Sequence, residues 1–340
     1  MSLGALFVGT LPGVGADIDF STDGKRVAFT WPAPDGKPSL VVGDMNGGPT
    51  QALPGTQAAS GAKWSPNGKR LLYHDEAAHQ TLVWDADTGR SVRLPVELLP
   101  PYAWREDSLR VAGTTRSRTG AFELVFVALG ELGVAHRTAV PAEAASLAAI
   151  VWLGQTDEVA FLGQKNGLAD IYITDGGIPM RITTTSDVIG LGLTPNRRNL
   201  LFARPSRNPG YILCTLFRYN VAKRSVEKLP FPDRVAAVNP SPNSAPAKVE
   251  AVWFSPNGAG LAMLTTWQRP TGARVRIHAM QMDGTNARPI ADLPARGGLL
   301  SGFAWTTDSA GFAALVIDGF SAQLYLTDAA TGARRGLYKK

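Results

Sequence analysis

The sequence predicts an all-β fold, a seven-bladed β-propeller of four-stranded antiparallel blades occupying residues 1–340 as one domain. Three features carry that reading. A ten-residue frame recurs seven times, the frame holds turn chemistry at a fixed place, and the flanking strands are bulky on one face and small on the other.

The frame starts at Phe20-Ser-Thr-Asp-Gly-Lys-Arg-Val-Ala-Phe29. It returns with anchors at Trp64, Trp104, Trp152, Leu193, Phe254 and Trp305. The anchors are 44, 40, 48, 41, 61 and 51 residues apart, close to the spacing of about 40 to 50 expected of propeller blades. Each large anchor ends a first strand. Three positions later stand Asp23, Asn67, Asp107, Asn196, Asn257 and Asp308, with Gln155 as the exception, and Gly24, Gly68 and Gly258 follow in three copies. Asp and Asn bond their own main chain and tolerate left-handed backbone, and Gly has no Cβ to clash, so the frame is a hairpin turn.

The second strand begins at once. Its first inward position is large (Val27, Leu71, Val111, Val159, Leu200, Leu261, Phe312) and the next is mostly alanine (Ala28, Leu72, Ala112, Ala160, Leu201, Ala262, Ala313). Successive strand residues face opposite sides. Each sheet therefore has a thick and a thin face, which suits sheets nested in a ring. Third strands are expected at Leu40–Val42, Leu82–Trp84, Leu124–Phe126, Ile171–Ile173, Leu216–Phe217, Ile277 with Ala279, and Leu324–Leu326. Weaker fourth strands follow polar turns. Only Ala142 to Ala149 is locally helix-friendly.

Trp64-Ser-Pro-Asn-Gly-Lys-Arg-Leu-Leu-Tyr73 and Phe254-Ser-Pro-Asn-Gly258 resemble the WD40-like (PD40) repeat of TolB-type β-propellers. The resemblance covers about residues 17 to 335 and is specific for fold, not for function. True WD40 proteins are less similar, because Trp84-Asp85 stands alone and no Gly-His pair precedes a repeat. TolB itself carries a further N-terminal α/β domain with no counterpart here.

Composition narrows the function classes. The 340 residues contain 34 Lys+Arg and 28 Asp+Glu, a net +6, with 44% hydrophobic residues and one cysteine, Cys214. That apolar share supports a core and excludes disorder, and a lone Cys excludes a disulfide framework or cysteine zinc cluster. No stretch reaches the roughly 18 to 20 apolar residues of a membrane-spanning helix. The apolar N-terminus has no Lys or Arg before the short run Ala5–Val8, so it reads as strand or loop rather than a secretion signal. This points to the cytoplasm, or to the periplasm if a leader has been removed. Leu6–Thr10 is expected to close the ring beside the last blade, in competition with Arg334–Tyr338.

Chemistry-bearing motifs are sparse. Prolyl-peptidase-type enzymes carry related propellers but use a separate catalytic domain with Gly-x-Ser-x-Gly, which is missing here. No metal-binding His-Glu-x-x-His and no phosphate-cradling loop occurs. His74-Asp75-Glu76 with His79 could gather a divalent ion, and Asp17 with Asp19 could bind Ca²⁺ in the channel, although solvated loops and a wet channel explain both. The basic loops joining second and third strands say more. They hold Lys37, Arg116, Arg118, Lys165, Arg204, Arg207, Arg269 and Arg274 against Asp35, Asp75, Glu76, Asp170 and Asp318. Arg204, Arg207, Tyr211, Trp267, Arg269 and Arg274 fall in neighbouring blades five and six, and Arg, Trp and Tyr are the residue types of binding hot spots. The Pro-rich linker 231–248 lies beside them. The expectation is therefore a non-catalytic protein-binding or scaffolding subunit without cofactor, an accessory to a larger assembly that could touch an anionic membrane. An exported TolB-like envelope protein and an enzyme with its site at the channel mouth are the alternatives. Nucleic acid has only the modest charge in its favour.

Overall fold

A computed structural model describes residues 18–32, 38–57, 59–130, 133–154, 156–205, 214–232, 235, 238, 248–267, 274–293, 299–318 and 321–339. Seven four-stranded antiparallel sheets follow one another along the chain, each in simple meander order. The blades span residues 18–57, 59–93, 99–139, 146–181, 190–228, 248–293 and 299–339. Every expected third strand is present, and no helix occurs among the described residues. The helix-friendly run 142–149 instead enters the inner strand Ser146–Trp152. Leu147, Ile150 and Trp152 are buried at strand-like positions there, so packing overrides local propensity.

The hairpin frame does what its residues imply. In blade one the Ser21 hydroxyl accepts from Arg26 N at 2.9 Å and donates to Asp23 Oδ1 at 2.6 Å, while Asp23 Oδ1 also accepts from Lys25 N. Ser65, Thr194, Ser255 and Thr306 repeat the device in blades two, five, six and seven. One residue further on, φ is positive at Gly24, Gly68 and Gly258, and equally at Ser108, Arg197 and Ser309. The turn geometry is thus held even where the sequence supplies no glycine.

Nesting of thick on thin faces builds the core. Ala28 of blade one packs with Trp64, Leu71 and Tyr73 of blade two, and Leu72 of blade two with Tyr102, Trp104 and Val111 of blade three. Ala112 meets Trp152, Val159 and Phe161, Ala160 meets Leu200 and Phe202, Ala203 meets Leu261 and Met263, and Ala262 meets Phe312. Blade one then lays Val27 and Phe29 on Ala313 of blade seven, so one rule runs round the whole circle.

Among the described residues no strand is shared between the first and last blades. Blade seven takes its outer strand from Arg334–Lys339, the C-terminal candidate, and the N-terminal candidate Leu6–Thr10 lies outside the described residues. Side chains bind the seam. Tyr338 stacks on Phe29 with centroids 5.3 Å apart and donates its hydroxyl to Asp44 O at 2.6 Å. Arg335 Nη2 donates to Met45 O at 2.9 Å. Gly43 leaves room for this contact, since a Cβ there would overlap the Tyr338 phenol.

Candidate functional site

The seam carries a cavity of about 600 Å³ on the face formed by the hairpin turns of blades one and seven. That volume lies within the few hundred to 1,000 Å³ typical of small-molecule sites. Phe20, Met45 and Leu326 give it apolar wall, and Thr22 and Thr307 add hydroxyls. Asp23, Asp308 and Asp328 bring three carboxylates, and Arg334 and Arg335 stand beside them.

The carboxylates are placed by the turns themselves. Asp308 Oδ1 accepts from Thr306 Oγ1 and Ala310 N, and Asp328 Oδ1 accepts from Thr331 Oγ1, Thr331 N and Ala330 N. Hydrogen bonds from Ser21, Thr306 and Thr331 respectively hold Asp23, Asp308 and Asp328 below the ordinary carboxylate range, so all three stay ionised at neutral pH. Among the described residues no hydrogen bond reaches Oδ2 of any of them. The arginines differ. Arg334 gives Nε and Nη2 to Ile290 O, and Arg335 gives Nη2 to Met45 O. The acids thus keep an uncommitted oxygen, while each cation is partly spent on the protein.

Of the residues expected from sequence, Arg204, Trp267 and Arg274 fall on the opposite face. Arg204 forms a two-point ion pair with Asp187, at 2.6 and 3.0 Å, and lies 5.5 Å over the Phe217 ring. Trp267 and Arg274 are paired at the ends of their strands, which brings their backbones together. Arg207, Tyr211 and Arg269 lie outside the described residues, as do Asp17, Asp35 and Lys37. Elsewhere on that face Arg116 stacks on Phe122 at 4.4 Å and Lys165 Nζ donates to Ala142 O at 2.9 Å. Asp170 is buried. Burial alone would raise its pKa, but hydrogen bonds from Thr183, Arg181 and Ser186 outweigh that and lower it. Of linker 231–248, Val235 and Val238 are buried between blades five and six, so the chain's own core grips the part described.

The suggested ion sites are occupied by structural roles. His74 Nε2 and His79 Nδ1 both approach Glu97 Oε1, at 2.9 and 3.4 Å, and Asp75 instead caps its own loop through Ala77 N and Ala78 N. Sequence reading missed Glu97 because it sits in the connection to the next blade. Asp19 clamps blade two, accepting from Lys63 Nζ at 2.6 Å and Trp64 N at 2.7 Å. Among the described residues no three His, Cys, Asp or Glu side chains converge to hold a metal ion. Burial pushes the Cys214 thiol up to about 12, which makes it an inert core residue.

No protein-family model matches the sequence, and no curated protein matches it. Solved structures do match. An oligogalacturonate lyase in complex with manganese is similar over 94% of this chain and 86% of its own, with TM-score 0.65 and 14% identity. TolB from Acinetobacter baumannii is similar over 94% of this chain and 65% of its own, with TM-score 0.53 and 13% identity. The propeller domain of the trilobed protease from Pyrococcus furiosus, described as having an open velcro topology, matches over 95% of this chain and 98% of its own, with TM-score 0.61 and 13% identity. An acylaminoacyl peptidase and prolyl endopeptidases also match, this chain spanning 50% of theirs. Identities this low show the fold alone.

The lyase nevertheless overturns the expectation of a non-catalytic scaffolding subunit. That expectation rested on a ring that consumes the whole chain and leaves no separate catalytic unit. An enzyme matched over 86% of its length consists almost entirely of such a ring. The propeller architecture therefore gives no ground for excluding catalysis.

Proposed function

We propose that this chain is a ligand-binding propeller whose seam cavity takes a small amphipathic molecule bearing a positive charge, with short peptides as the first class to test. One observation carries the reading: three ionised carboxylates, each with one oxygen uncommitted, line a single cavity with apolar wall between the first and last blades. Ammonium or guanidinium groups match those oxygens, and Phe20, Met45 and Leu326 offer burial to an adjoining apolar part. The choice of peptides is supported by the similarity to propellers of a protease and of peptidases. On the quoted repeats we also group the chain with the TolB-type PD40 propellers, a grouping supported by the likeness to TolB.

The test is calorimetric titration with the tripeptide Lys-Phe-Ala amide and with its counterpart acetylated at both amines. Asp308→Asn combined with Asp23→Asn removes charge while keeping the turn acceptor, since Asn67, Asn196 and Asn257 fill the same place in other blades. The amine peptide should bind, its acetylated form should bind more weakly, and the double variant should lose about ten-fold in affinity, as expected for one hydrogen-bonded charge pair. Equal binding of both peptides, equal binding to the variant, or no heat with either peptide would refute the reading.

A further inference from the structure

A second polar cavity, of about 290 Å³, lies on the outer part of blade five, away from the seam. It is lined by Asn199, Arg218, Asn220, Lys223, Ser225 and Glu227. From these residues and their neighbours we propose that the corner of blade five is a binding site for a phosphate-type anion.

Two hairpin tips meet at this corner. Val221 N donates to Arg198 O at 3.2 Å, so the turn carrying Arg197 and Arg198 sits against the turn carrying Lys223 and Arg224. With Arg218, five cations gather on one blade. The opposing carboxylates are Glu227, which takes Arg218 Nη2 at 2.5 Å, and Glu158, which reaches Tyr219 from blade four. Arg198, Lys223 and Arg224 are exposed and form no ion pair among the described residues. Like charges gathered on one blade corner repel, and a bound anion offsets that repulsion.

The polar groups are arranged to donate. Asn220 Oδ1 is already taken by Lys223 N at 2.8 Å, which leaves its Nδ2 as the free end. Lys223 Nζ and Ser225 Oγ lie at the same cavity with no partner among the described residues. Phosphate offers several acceptor oxygens and negative charge, the complement of an amide, a hydroxyl and an ammonium together. The space exceeds a lone phosphate, so the group can belong to a larger molecule. Either free phosphate or a phospholipid headgroup presents this chemistry.

Nuclear magnetic resonance titration with inorganic phosphate and co-sedimentation with phosphatidylcholine vesicles, with and without phosphatidic acid, distinguish the two sources. Phosphate at about 10 mM should shift the amides of residues 198–200 and 220–225. Lys223→Gln with Arg224→Gln should weaken that response about ten-fold, and Ser225→Ala should weaken it less. Retained protection of Cys214 from thiol reagents reports that the variants are folded. Phosphate shifts without vesicle recovery assign a free anion, and recovery that needs both phosphatidic acid and the two cations assigns a headgroup. The site is disproved if neither probe binds, or if the folded double variant binds either probe as tightly as the parent. Binding of peptides at the seam is unaffected in every case.

Discussion

Blade seven meets blade six on one side and blade one on the other, and the two junctions are packed alike but tied differently. At the first, Phe312 fills the hollow over Ala262, and at the second Phe29 and Val27 fill the hollow over Ala313. Polar ties then separate them. Trp305 Nε1 donates to Trp253 O at 3.3 Å, and Ser309 Oγ accepts from Asn257 N at 3.0 Å. Trp104 and Ser108 make the same two ties between blades three and two. At the seam the corresponding residues are Phe20, whose side chain has no N–H, and Gly24, which has no hydroxyl. Both line the cavity. A junction without that donor and that acceptor leaves space, and the space becomes the candidate site.

The packing half of this comparison gives the largest expected effect. Phe29→Ala and Phe312→Ala should each cost about 3–5 kcal/mol in urea unfolding, because both side chains are fully or almost fully buried under the same rule. A much smaller loss at Phe29 would break the parallel. Gly43→Ala should cost about 1–3 kcal/mol as the new methyl displaces Tyr338, and the same measurement checks it.

Phe20→Trp with Gly24→Ser sharpens the contrast by giving the seam the residues of its neighbour. Gly24 has φ 68°, close to the 62° and 60° of Ser108 and Ser309, so serine fits that backbone. The new hydrogen bonds should offset the roughly 1 kcal/mol cost of a side chain at positive φ. Stability should hardly change, whereas peptide binding should disappear. Retained affinity in calorimetry would remove the cavity from the account.

Acid provides a gentler probe. The folded-state pKa values of Asp23, Asp308 and Asp328 are lowered, so these groups stabilise the fold above the unfolded carboxylate value of about 4. That contribution falls away as pH drops through the lowered values. Asp23→Asn with Asp308→Asn should flatten the fall in Tm below about pH 4, where the asparagine turns of blades two, five and six already contribute no titration. An unchanged slope would count against ionised turn carboxylates.

Much of the ring was legible because its logic is local and repeated. Large and mostly alanine positions alternate in the second strands, and Asp or Asn turn chemistry follows every anchor but Trp152. Long-range choices were not. Arg334–Lys339 forms the outer strand of blade seven while Leu6–Thr10 lies outside the described residues, and in the helix-friendly run 142–149 burial of Leu147 and Ile150 overrides local propensity. The partner of His74 is Glu97, 23 residues away, a distance no motif spans. The cavity left a faint trace, since Phe20 with Gly24 breaks the Trp-and-Ser pairing of blades three and seven. Phe254 with Gly258 is the same pair, and there Pro195 packs 3.2 Å from where a Cβ of Gly258 would stand. Composition alone does not separate those cases. In the basic loops Arg204, Arg116 and Lys165 contact Asp187, the Phe122 ring and Ala142 O, contacts that no local motif announces.

Hydrogen exchange along the outer strands, with and without the Lys-Phe-Ala amide probe, measures the seam most directly. The peptide should slow the amides of Arg334–Lys339 selectively and leave those of Arg288–Leu293 unchanged. Equal slowing of the two strands, or slowing confined to another junction, would contradict a seam, tied by Tyr338 and Arg335, that holds the ligand.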